Sequence, residues 1–180
     1  MKKLIITVSA ILAATFAANA QSLDLSRLSK RMEITTIEDD DIIKYEIFSM
    51  EDEGQKHYFI SLGNVFYGDE IIQIAEPVRE LFVPIGDSVP QAQATLQEWQ
   101  TLFKEKPRSQ TFTVDGCVSL GVPGSKFEPV TISYYKSLFT RYLEFRIHRD
   151  GYIGTASISK SDLSSLVTSL KIEHRLRPND

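Results

Sequence analysis

The chain has 180 residues, of which 42% are hydrophobic and 24% are charged, and its formal net charge is −4 at pH 7. This length fits one globular domain that can bury a sizeable core without staples. The acidic balance argues against a large electrostatic footprint for nucleic acid or anionic lipid, so we expect no nucleic-acid partner.

The first twenty residues have the pattern of a secretory signal peptide. Lys2 and Lys3 precede an apolar run at 4–16, and residues 18–20 (Ala-Asn-Ala) give a small-residue cleavage site. The run is shorter than the roughly 20 apolar residues of a membrane-spanning helix. No cysteine lies near the cleavage point, so we do not expect a lipoprotein anchor. We therefore expect cleavage after Ala20, a mature chain in the periplasm or outside the cell, and no stable membrane span after cleavage.

Residues 21–30 are predicted as an N-terminal arm, either mobile or forming one helical turn. From residue 31 onward, short segments rich in β-branched and aromatic residues alternate with acidic or glycine-containing turns, as in antiparallel strands. The acidic clusters at 38–41 and 51–54 supply turn residues and lack the alternating ligands of a calcium loop. The strands predicted in this half are 31–37, 42–50, 57–62, 71–75 and 78–85.

A helix is predicted over 88–106. Ser88 and Gln91 form a capping box, Pro90 is tolerated in the first turn, and Lys106 and Pro107 suit the end. An apolar stripe at intervals of three and four predicts packing onto a sheet, rather than a partner-binding groove, through Val89, Ala92, Leu96, Trp99 and Phe103.

The second half again begins with strands. Those at 110–114 and 117–121 are predicted to be joined by a hairpin turn at Asp115-Gly116, and three more follow at 129–136, 140–148 and 152–159. Their alternation predicts a buried face formed by Val130, Ile132, Tyr134, Leu143, Phe145, Ile147, Tyr152, Ala156 and Ile158.

A second amphipathic helix is predicted from Ser159, which forms a capping pair with Asp162, to about Glu173. Its apolar stripe consists of Leu163, Leu166, Val167 and Leu170. The sequence thus predicts an α+β fold in which each of two helices follows a run of antiparallel strands. We expect a single domain over 31–180, with 31–107 and 108–180 as possible duplicated halves. This order is similar to that of the Whirly-type single-strand-binding proteins, which implies one possible sheet arrangement; none of their motifs occurs here, and the acidic charge argues against their function.

Reactive residues are scarce. His57, His148 and His174 fall in different predicted elements without metal-ligand spacing, so we expect no metal site and no cofactor. Cys117 is the only cysteine, which excludes an intrachain disulfide and leaves a structural thiol, a nucleophile or a dimer bridge. A cysteine nucleophile would need a histidine and a helix N-terminus or positive neighbours nearby, whereas Cys117 is predicted within a strand pair.

The outward face of the last three strands is the best candidate for a binding site. Opposite the predicted buried face, it carries Tyr135, Tyr142, Glu144, Arg146 and His148, an aromatic and ionic mixture found at recognition surfaces and also on ordinary exposed strands. We select Tyr135, Tyr142, Arg146 and His148 as candidate binding residues.

Two functional hypotheses remain from the sequence. In the first, the protein is an exported, non-enzymatic domain that binds an envelope or extracellular protein or ligand through this sheet face or the loop at 121–126. In the second, it is an exported hydrolase whose site is assembled from scattered residues, with Cys117 or a pair of Asp and Glu carboxylates at its centre.

Overall fold

The computed structural model describes residues 23, 25, 27–39, 42–68, 79–118, 120, 125–149 and 152–176. The predicted signal peptide at 1–20, the predicted strand at 71–75 and most of the 121–126 loop lie outside these residues. The elements are β1 (Ser29–Asp39), β2 (Ile42–Asp52), β3 (Gln55–Gly68), β4 (Arg79–Gly86), α1 (Val89–Thr101), a 3₁₀ turn (Leu102–Lys104), β5 (Thr111–Gly116), β6 (Glu128–Lys136), β7 (Arg141–Arg149), β8 (Tyr152–Ser159) and α2 (Lys160–Leu176).

Two antiparallel four-stranded sheets and two helices make up the described chain, and each helix follows a run of strands, so the predicted α+β class is confirmed. The first sheet contains β1 to β4 and the second β5 to β8. Within the described residues, no helix is both long and apolar enough to cross a membrane.

Strand β3 joins the two sheets. Its first part pairs with β2 on one edge and β4 on the other, and its last three residues, 66–68, pair with β8. Two further contacts cross the junction: the hydroxyl of Tyr45 donates to the carbonyl of Ser157 at 2.9 Å, and Phe82 in β4 forms an isolated bridge with Cys117. The sheets are thereby held edge to edge around a shared interior.

The main core fills this interior and is covered by the helices. The predicted stripes of α1 and α2 are all buried, and so is the predicted inward face of β6, β7 and β8, apart from Tyr152, whose side chain lies outside the described residues. Trp99 of α1 meets Phe145 edge to face with ring centroids 5.3 Å apart, and Phe103 meets Tyr134 in the same way. Helix α1 and the 3₁₀ turn therefore pack onto a sheet, as the stripe predicts.

Both predicted helix caps are present. The hydroxyl of Ser88 accepts from the backbone N–H of Gln91 at 3.4 Å, and the hydroxyl of Ser159 accepts from the N–H of Asp162 at 3.1 Å. The predicted span 88–106 resolves into α1 and the 3₁₀ turn, whereas α2 continues three residues past its predicted end. These caps satisfy N–H groups that the first helical turn cannot pair internally.

A second, smaller core lies on the outer face of the first sheet. Phe48, Phe59 and Phe82 point away from the main core, which follows from strand alternation. Residues from the N-terminal segment and from the segment before β6 cover them, together with Met50: Leu23, Leu28, Leu120 and Phe127. The outer face of the first sheet is consequently occupied by the chain itself.

The hairpin predicted at Asp115-Gly116 is wrong. Strand β5 runs through both residues in register with Glu128 and Pro129 of β6, and Cys117 then pairs with Phe82. Gly116 is required by packing rather than by a turn, since a Cβ there would lie 2.6 Å from Cγ2 of Val130. An Asp-Gly pair favours a tight turn only where its flanking strands pair with each other, and here they pair with different partners.

We predict that Gly116→Ala lowers the free energy of unfolding by about 1–3 kcal/mol, because the added methyl group overpacks a closed interior. Denaturant unfolding followed by circular dichroism measures the change. Thr113→Ala, an exposed change on the same strand, is the control and should stay within about 0.5 kcal/mol of the wild type. A Gly116→Ala midpoint equal to that of the control would contradict the close approach of β5 to β4 and β6.

Candidate binding face

Cys117 lies in the interior rather than in an open cleft. Its residue is only 1% exposed, and its backbone N–H and C=O both bond to Phe82 at 2.8 Å. A nucleophile must reach its substrate, and a reactive thiolate needs positive or polar surroundings with access to solvent. The burial of Cys117 fits the structural-thiol interpretation that the sequence left open.

Among the histidines, His57 has a carboxylate partner. Its Nδ1 lies 2.7 Å from Oδ1 of Asp87, which immediately precedes the cap of α1. This pair links β3 to the start of α1. His148 is exposed on β7 and His174 is half-buried on α2, so the three histidines remain in separate elements.

Two carboxylates do meet in the first sheet, but around a cation. Arg31 donates to Glu46 and lies 3.6 Å from Glu80, while its guanidinium packs 4.2 Å above the ring of Phe48. Partial burial alone would lower the pKa of Arg31, but the hydrogen bonds and charges of Glu46 and Glu80 outweigh that effect and raise it. The cluster is an ion network at the rim of the second core in which one arginine bridges two carboxylates. An arginine between two acids suits a structural role better than acid–base chemistry.

The outer face of the second sheet is open. Register places Tyr142, Glu144, Arg146 and His148 of β7 on this face beside Tyr135 of β6, as the alternation predicts. Hydroxyl side chains occupy much of the rest of the face, on β5, β6 and β8: Thr111, Thr113, Thr131, Ser133, Thr155, Ser157 and Ser159. Where no sheet is named, "the outer face" below means this surface of the second sheet together with Arg108.

A three-membered stack lies at one end of the outer face. Tyr135 and Tyr142 are directly opposed across β6 and β7, with ring centroids 5.7 Å apart and planes 13° from parallel. The guanidinium of Arg108 packs 4.3 Å from the centroid of the Tyr135 ring. Aromatic pairing and the cation–π contact favour this arrangement of the two tyrosines, both of which are half-buried.

Arg108 was not selected from the sequence. It is the third residue of a turn at 106–109, in which the N–H of Ser109 donates to the carbonyl of Lys106 at 3.1 Å. The φ of Arg108 is +59°, a left-handed conformation that costs a residue with a side chain about 1–2 kcal/mol. Its N–H donates to the carbonyl of Tyr134 at 3.0 Å, which fixes the turn against β6 and directs the guanidinium to Tyr135.

Arg146 and His148 extend the outer face along β7. Arg146 forms an ion pair with Glu144 at 2.9 Å and lies 3.5 Å from the hydroxyl of Tyr135. His148 is exposed one pleat further on, outside the stack. The structure therefore brings together three of the four selected residues, Tyr135, Tyr142 and Arg146, and places His148 on the same face at greater distance along the strand.

No protein-family model, curated protein or solved structure matches this chain.

We predict that Cys117 is inert in the folded protein. A thiol-specific chromogenic reagent should label it slowly under native conditions and completely in denaturant, because labelling requires opening of the β4–β5 junction. The ratio of the two rates measures the protection. Labelling of the native protein at the rate of a free cysteine would contradict the burial and would restore the nucleophile hypothesis.

Proposed function

We propose that this protein is an exported, non-enzymatic domain that binds a ligand or protein partner at the cell envelope through the outer face. The observation that supports this most is the fixed Arg108–Tyr135–Tyr142 stack, with Arg146 beside it, on a solvent-facing sheet. Export is supported by the pattern of the first twenty residues.

The difference between the two sheets supports the choice of face. Both sheets turn one side to the main core, but the phenylalanines on the other side of the first sheet are covered by the chain's own apolar residues and bordered by the Arg31–Glu46–Glu80 network. The outer face of the second sheet carries tyrosine, arginine and hydroxyl groups instead. Tyrosine and arginine are enriched in protein interfaces because they combine contact area with hydrogen bonding.

The local cost of the arrangement also supports a role in binding. Arg108 adopts a left-handed backbone conformation in the third position of a turn where glycine or asparagine would be easier. Backbone strain of this kind is concentrated at functional sites. The guanidinium of Arg108 contacts the half-buried ring of Tyr135 on the outer face and not the main core, so this side chain shapes the surface.

The charges indicate the kind of ligand. Arg108 and Arg146 contribute two positive charges next to the tyrosines, and Glu144 neutralises one of them. The hydroxyl rows supply neutral hydrogen-bonding groups across the remaining strands. A partner with an anionic group and several polar hydrogen-bonding groups fits this chemistry best.

Partner capture from envelope extracts tests the proposal. The exported protein is purified, its N-terminus is determined by mass spectrometry, and the wild type is compared with Tyr142→Ala/Arg146→Ala. We expect the double variant to lose at least about tenfold in capture, since tyrosine and arginine are enriched among the few interface residues whose truncation costs about 2 kcal/mol or more. The N-terminus should be Gln21.

Ile172→Ala/Arg175→Ala is the matched control, because it also removes one large side chain and one arginine, from the exposed side of α2. It should capture the same partner as the wild type. Equal capture by all three proteins would remove the outer face from consideration, and an N-terminus at Met1 would contradict processing of the leader.

A further inference from the structure

The hairpin between β6 and β7 ends in two apolar residues that the fold does not use. Leu138 is 92% exposed and Phe139 is 97% exposed. They are the central residues of a tight turn that two hydrogen bonds close. The N–H of Ser137 donates to the carbonyl of Thr140 at 2.9 Å, and the N–H of Thr140 donates to the hydroxyl of Ser137 at 3.0 Å. Glycine, asparagine, aspartate and proline are the usual residues of such turns, so neither local conformation nor core packing accounts for leucine and phenylalanine here.

The two residues that flank this turn are both cations. Lys136 and Arg141 are exposed and stand directly opposite each other across β6 and β7. Like charges in directly opposed positions destabilise a strand pair. Within the described part of the chain, neither residue forms an ion pair. The hairpin tip, residues 136–141, thus places two exposed apolar residues beyond a pair of directly opposed cations, and both features oppose the stability of an isolated hairpin.

We propose that the hairpin tip inserts Leu138 and Phe139 into the interface of a lipid bilayer while Lys136 and Arg141 contact anionic headgroups. Apolar residues at the end of the hairpin, with cations next to them, match a membrane surface, where charged headgroups lie outside the hydrocarbon. A stable protein–protein interface needs about 800 Å² from each partner, much more than two side chains at an apex provide. Because the chain as a whole is negatively charged, we expect electrostatic attraction to anionic headgroups at the tip and not over a broad surface.

This inference does not rest on the proposed binding at the outer face, because it concerns different residues and a different readout. The exported protein is tested by cosedimentation with phosphatidylglycerol vesicles and with phosphatidylcholine vesicles at low and high salt. We expect tighter binding to phosphatidylglycerol that weakens with salt. Leu138→Ser/Phe139→Ser should reduce partition at least about tenfold, and Lys136→Gln/Arg141→Gln should remove the preference for phosphatidylglycerol.

Matched controls come from α2, where Ile172 and Leu176 are also exposed apolar residues. Ile172→Ser/Leu176→Ser should bind vesicles like the wild type. A loss of vesicle binding equal to that of the tip variant would overturn the proposal, because it would show that any exposed apolar residue contributes to binding. Circular dichroism of each variant checks folding.

A fluorescent variant tests insertion without removing the apolar apex. In Phe139→Trp, emission should shift to shorter wavelength on addition of phosphatidylglycerol vesicles, because the indole enters an apolar environment. The single native tryptophan, Trp99, is buried and adds a constant background. Unchanged emission, absence of binding to phosphatidylglycerol, or tip-dependent self-association without vesicle binding would each overturn the proposal.

Discussion

The sharing of strand β3 between two sheets is the constraint on which the rest of the structure depends. Its 14 residues are long enough to pair with β2 and β4 and then to continue into pairing with β8. The bridge between Phe82 and Cys117 joins the sheets again on the far side of β4. Because the sheets meet at both places, they enclose one core, and α1 can pack Trp99 against Phe145 of the other half.

This junction also decides which surfaces remain open. Strand alternation gives each sheet an inner and an outer face, and the inner faces are consumed by the shared core. The outer face of the first sheet carries three phenylalanines, so it must be covered, and leucines from outside the strands cover it. The outer face of the second sheet carries polar and aromatic residues that can remain in contact with water, so the fold does not need to cover this face with other residues. The asymmetry between two similar arrangements is what favours one face for binding.

Local patterns predicted most of the fold. The stripe from Val89 to Phe103 and the alternation from Val130 to Ile158 depend only on the period of the element, and both are buried as predicted. The cap at Ser159 depends on two residues three apart. Asp115-Gly116 was misassigned because a turn and a close strand contact both favour glycine, and only tertiary pairing distinguishes them.

The candidate site was predictable only in part, for a similar reason. Tyr135, Tyr142 and Arg146 share a face by strand parity, which the sequence displays. Arg108 joins them through a turn and a hydrogen bond to the carbonyl of Tyr134, and no sequence period connects residue 108 with residue 135. The burial of Cys117 likewise follows from its bridge to a strand 35 residues earlier, which local pattern does not reveal.

Photo-crosslinking from a residue on the outer face most directly tests the claim that this face binds the partner. A photoreactive amino acid replaces Ser157, which is exposed on β8 opposite Glu144, and in a second protein it replaces Thr168, which is exposed on α2. Irradiation in intact cells should yield a defined crosslinked species from position 157 and none from position 168. The same products from both positions, or a species from 168 alone, would contradict the assignment of binding to the second sheet.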